Sequence, residues 1–87
     1  MMKKLTKNIL ANILKEYFWL NSYTDITFTD KRIFINYFGF TIVLWYGSKY
    51  GWNISLNGQI SYAVAHYSVK LCELLEKSYN YYDNSKE

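Results

Sequence analysis

Residues 33–52 read IFINYFGFTIVLWYGSKYGW, a run dense in β-branched and aromatic side chains with a single charge, Lys49. Such residues suit a pleated, half-buried surface, and Gly39, Gly47 and Gly51 cut the run into strands joined by turns. A chain carrying this stretch must build a sheet and cover at least one of its faces.

The sheet begins before that run. From Tyr23 the side-chain period is two, with Thr24, Ile26 and Phe28 alternating with Asp25, Thr27 and Thr29. Strands are predicted over residues 23–29, 32–37, 40–46 and 52–56. Asp30-Lys31 and Phe38-Gly39 make short turns, and residues 47–51 a longer one. Neither short turn has the Asn-Gly or Asp-Gly signature that selects a type I′ hairpin, so the register must come from the side-chain pattern. Pairing Thr29 with Arg32, Tyr37 with Phe40 and Tyr46 with Trp52 places Ile26, Phe28, Ile33, Ile35, Ile42, Leu44, Trp52, Ile54 and Leu56 on one side. Asp25, Thr27, Thr29, Arg32, Phe34, Asn36, Thr41, Val43, Trp45, Asn53 and Ser55 fall on the other. A slip of one residue would exchange the two sets, so this sorting supports an antiparallel meander of order 1-2-3-4.

Helical periodicity flanks the sheet. Leu5, Ile9, Ile13, Tyr17 and Leu20, with Leu10, Leu14 and Phe18 alongside, form an apolar stripe that predicts a helix over 6–20, capped by Thr6 and stopped near Asn21. Ile60, Val64, Tyr67, Leu71, Leu74 and Leu75 predict a second helix over 59–79, and residues 80–87 a polar tail. Two amphipathic helices need an apolar surface, and only the isoleucine-rich sheet face supplies it fully. The expected fold is therefore a single α+β domain over 1–87, ordered α-β-β-β-β-α, with both helices on one face in a two-layer sandwich.

For 87 residues, of which 51% are hydrophobic and 21% aromatic, one modest core is the expectation. The net charge of +3 is small for a domain committed to nucleic acid, and the only cluster is Lys3, Lys4 and Lys7. A lone cysteine, Cys72, forms no internal disulfide and suits a reducing compartment. The lysine-led start lacks an uninterrupted apolar region and a small-residue cleavage site. No apolar run reaches the ~18–20 residues of a membrane span. A cytoplasmic location is expected. Abundant Tyr, Asn, Ile and Lys beside scarce Ala, Arg and Pro indicate AT-rich coding, which carries no physical conclusion.

Of the two sheet faces, the uncovered one is the candidate site. Arg32, Phe34, Val43 and Trp45 form its centre and Asn36 and Thr41 part of its rim, an arrangement like the apolar middle and polar border of an interface. Arg32 opposite Trp45 is positioned for a cation–π contact. An aromatic four-stranded sheet resembles single-strand RNA platforms such as the RRM, but the βαββαβ order and the basic-Gly-aromatic motif of that family are absent. With Arg32 the only cation on the face, phosphate attraction would be weak. His66 and Cys72, six positions apart on a helix, do not converge on a metal; they read as a partly buried structural histidine and a core-edge thiol. No set of nucleophile, base and orienting group is recognisable, and no cofactor or small-molecule substrate is expected. A second candidate contact is the edge strand Trp52, Asn53, Ile54, Ser55 and Leu56, which has none of the charges or prolines that usually blunt an edge.

The expected function is that of a small non-enzymatic protein-binding module whose partner is a host or cognate protein. In size, composition and economy the chain resembles the small open reading frames of phages and mobile elements. Many of these, anti-CRISPR and other anti-defence inhibitors among them, occupy a host protein's surface. The alternatives are a nucleic-acid-binding module using the aromatic face, and a homodimeric structural subunit.

Overall fold

A computed structural model of the chain describes residues 3–47 and 51–80, the side chains of Phe18 and Trp19 excepted. The elements are β1 (Lys3–Lys4), α1 (Lys7–Leu14), a 3₁₀ turn (Phe18–Ser22), β2 (Asp25–Phe28), β3 (Ile33–Asn36), β4 (Phe40–Gly47), β5 (Gly51–Gly58), α2 (Tyr62–Ser78) and β6 (Tyr79–Asn80). Two helices and a four-stranded antiparallel sheet of order β2-β3-β4-β5 make this an α+β fold.

The meander has the register that the side-chain sorting predicts. Ile26 faces Ile35, Phe28 faces Ile33, Ile35 faces Ile42, and Ile33 faces Leu44, which in turn faces Ile54. At the closing hairpins the Thr29 N–H donates to the Arg32 carbonyl at 2.8 Å and the Tyr37 N–H to the Phe40 carbonyl at 2.9 Å. In the second hairpin Phe38 keeps a negative φ, because Gly39 takes the left-handed value of +90° that the turn requires. Ile26, Ile33, Ile35, Ile42 and Leu44 share one core with Leu10 and Leu14 of α1 and Leu71 and Leu75 of α2. Both helices therefore lie on that face. Each of those leucines, wholly buried, contributes about 1.5–3 kcal/mol from the area it removes from water.

The strands start or end within two residues of the sequence expectation, and three larger differences stand beside them. The first helix ends at Leu14 rather than at 20. At Glu16 and Tyr17 the backbone bonds shorten to i−3, onto Ile13 and Leu14. Three consecutive aromatics, Tyr17 to Trp19, are weak helix formers, and the 3₁₀ turn that follows still buries Leu20 completely. Its N-terminus is as expected, with the Ile9 N–H donating to Thr6 Oγ1 at 3.2 Å. The second helix starts at Tyr62 rather than 59. β5 stays paired as far as Gly58, and Ser61 caps the helix by accepting the Val64 N–H at 3.2 Å. Of the expected stripe Val64, Leu71 and Leu75 are buried, Tyr67 and Leu74 are only half-buried, and Ser68 is buried although the stripe did not include it.

The third difference is at the chain ends. Residue 80 does not belong to a polar tail: Tyr79 and Asn80 form β6, pairing in parallel with Lys3 and Lys4 of β1, and the Leu5 N–H donates to the Asn80 carbonyl at 2.8 Å. The pairing ties residues 3–4 to residues 79–80, and it is fixed further by the Trp52 indole, whose Nε1–H donates to the Tyr79 carbonyl at 2.8 Å. Turn residues 48–50 and tail residues 81–87 lie outside the described residues. No helix among the described residues is long and apolar enough to cross a membrane.

Candidate functional site

Register fixes the uncovered face as three rows running across the strands. The first is Asp25, Asn36, Thr41 and Asn57; the second is Thr27, Phe34, Val43 and Ser55. The third runs from Thr29 through Arg32 and Trp45 to Asn53. Amides and a carboxylate thus line one side, a guanidinium and an indole the other, and the apolar row lies between.

Each row has its own support. The Thr41 hydroxyl donates to Asn36 Oδ1 at 3.1 Å, across a cross-strand pair. The Asp25 carboxylate accepts weakly from the hydroxyls of Thr24 and Thr27, both at 3.4 Å. Val43 is only 7% exposed although both helices pack on the other face, so its neighbours on the open side do the covering. The Arg32 guanidinium lies 5.7 Å from the centroid of the Trp45 ring, the expected cation–π contact. The backbone of Arg32 is pinned by Thr29. Its N–H donates to Thr29 Oγ1 at 2.9 Å, while its carbonyl accepts from the Thr29 N–H at 2.8 Å and the Thr29 hydroxyl at 3.0 Å.

These residues enclose a shallow concavity of about 270 Å³ lined by Arg32, Phe34, Val43, Trp45, Ser55 and Asn57. Four of the six residues expected for partner binding line it. Asn36 and Thr41 sit in the adjoining row, tied to each other rather than to the concavity. Sequence reasoning missed Asn57 because Asn57-Gly58 reads as a turn; carrying the two-residue period one step further, to the Thr41–Asn57 pair, would have found it.

The edge-strand candidates divide. Trp52 is 3% exposed and part of the core, so its side chain offers no surface. Asn53 and Ser55 look toward the open face, and Ile54 and Leu56 are half-buried at the margin of the core. Hydrogen-bonded pairs alternate along an antiparallel ladder. The bond from the Gln59 N–H to the Gly39 carbonyl sets the phase, so the backbone groups of Trp52, Ile54 and Leu56 point away from β4. α2 reaches part of that edge, where the Cys72 thiol donates to the Trp52 carbonyl at 3.6 Å. Burial pushes this thiol's pKa up, and the carboxylates of Glu76 and Glu73 push it further.

His66 is exposed rather than partly buried. Its ring stacks on the exposed Tyr62 at 6.3 Å and meets the edge of Tyr67, itself half-buried against the core, at 5.4 Å. No group of three potential metal ligands occurs among the described residues. No protein-family model, curated protein or solved structure matches the chain.

Proposed function

We propose that this chain is a small non-enzymatic protein-binding module that docks a host or cognate protein on its open sheet face. On this reading it is an inhibitor of the kind carried by phages and mobile elements, working by occupying its target's surface. The concavity on the uncovered face supports the reading best. It has an apolar floor at Val43 and Phe34, two residue types favoured at binding hot spots in Arg32 and Trp45, and a rim of small polar groups. A guanidinium, an indole, amides and hydroxyls are groups suited to holding a surface rather than to moving protons.

The test is affinity capture from a lysate of the source's host, with wild type and Trp45→Ala side by side and captured proteins identified by mass spectrometry. A protein retained by the wild type and lost from the variant supports the reading; identical captures contradict it. A homodimeric subunit is a second reading, favoured by the outward backbone groups of the uncharged strand β5. It predicts a dimer that persists on dilution to low micromolar concentration.

A further inference from the structure

Among the described residues, the open face carries one cation, Arg32, and that cation has no counter-charge. Arg32 makes no ion pair among the described residues; its guanidinium rests on Trp45 and its backbone is held by Thr29. The guanidinium is thus held beside the indole on an exposed side chain, where its N–H donors are open to a partner. Donors in this planar fork match a carboxylate, which accepts two parallel hydrogen bonds. Beside the fork lies the apolar middle row, with Val43 and Phe34 forming its floor. The row ends in small residues, Thr27 at one edge of the sheet and Ser55 at the other, so a segment lying across the strands meets no bulky stop in line with it.

Resting on the proposed docking role of this face, we infer that its ligand is an acidic–apolar protein segment. An aspartate or glutamate carboxylate pairs with Arg32, while an adjacent aliphatic or aromatic side chain fills the concavity over Val43. Asn57 and Ser55 on β5 supply a donor and a hydroxyl for the segment's backbone. The face disfavours a nucleic-acid strand. Among the described residues, successive phosphates would meet a single cation and, in the first row, the Asp25 carboxylate, and Arg32 already occupies the Trp45 indole on which a base would stack.

Selection of random dodecapeptides displayed on phage against the purified protein tests this, followed by fluorescence-polarisation titration of the recovered peptides. Peptides enriched in Asp or Glu next to Leu, Ile, Met or Phe are expected. Their affinity should fall about tenfold or more with Arg32→Gln. Exchanging the peptide's acid for lysine should restore binding to Arg32→Glu, and all variants should melt as the wild type does. Peptides that need Trp45 but ignore Arg32→Gln would overturn the acidic assignment and leave the docking face standing. A selection yielding no peptide weakened by Trp45→Ala would overturn both. A labelled oligothymidine strand is expected not to compete; competition abolished by Arg32→Gln would give the site to nucleic acid and overturn the inference.

Discussion

The Tyr37 hydroxyl leaves the sheet to donate to the Leu20 carbonyl at 2.7 Å, bonding β3's end to the 3₁₀ turn that follows α1. Burial pushes its pKa well above the ordinary tyrosine value, and Tyr23 raises it further. The sign of the linkage follows from that direction. Unfolded tyrosine ionises near pH 10, so the stability contributed by keeping Tyr37 neutral is fully present below about pH 10 and is lost as pH rises toward the folded-state value. Tyr37→Phe should lower stability at pH 7 by about 1–3 kcal/mol, since it leaves the buried-side carbonyl of Leu20 unpaired. Above about pH 10 its urea midpoint should fall less steeply than that of the wild type. Equal slopes would show that the Tyr37 phenol titrates alike in both states. Gly58 presents a different single-residue constraint. Its φ is +108°, and a Cβ there would collide with the Gly39 carbonyl and the Phe40 Cα. Gly58→Ala should cost about 1–3 kcal/mol or more in chemical denaturation, whereas Gly39→Ala, with open space around it, should cost only the strain of its positive φ.

Among the elements, the sheet separates a face that holds the fold from a face that does not. Ile35 and Leu44 are wholly buried between strands and helices, so Ile35→Ala and Leu44→Ala should each cost about 2–5 kcal/mol. Thr27→Ala and Ser55→Ala, on the open side, should stay within roughly 0.5 kcal/mol. Urea unfolding of the four variants checks both statements, and equal losses from the two pairs would invert the face assignment. This division was legible in the sequence because a period of two leaves no freedom: once Ile35 faces Ile42, every neighbour's side is set. Helix boundaries were less legible. Tyr17 and Leu20 continue the apolar spacing of α1, so periodicity alone cannot show that the backbone tightens to i−3 bonds at Glu16. The β1–β6 pair was not legible at all. It rests on backbone bonds between two-residue segments at opposite ends of the chain, and no side-chain pattern encodes it.

At the scale of the whole molecule, α1 and α2 cover one face of the sheet and leave the other open, and residues 3–4 pair with residues 79–80. The open side keeps its own order without helices. Val43 is buried among its neighbours, Arg32 stacks on Trp45, and Thr41 bonds to Asn36. The centre of the candidate site, Arg32, Phe34, Val43 and Trp45, was legible for the same reason as the core. Asn57 was not, because the glycine after it reads as a strand end.

On the proposed docking role, Trp45 serves binding and not folding. Titration calorimetry of Trp45→Ala against the captured partner, beside a melting curve of the same variant, tests it most directly. The variant should fold with little loss of stability and bind more weakly by roughly 2 kcal/mol or more, about thirtyfold in Kd. A variant that unfolds would place Trp45 in a core, and a variant that folds and binds with unchanged affinity would leave the open face without a role and move the contact to the edge of β5.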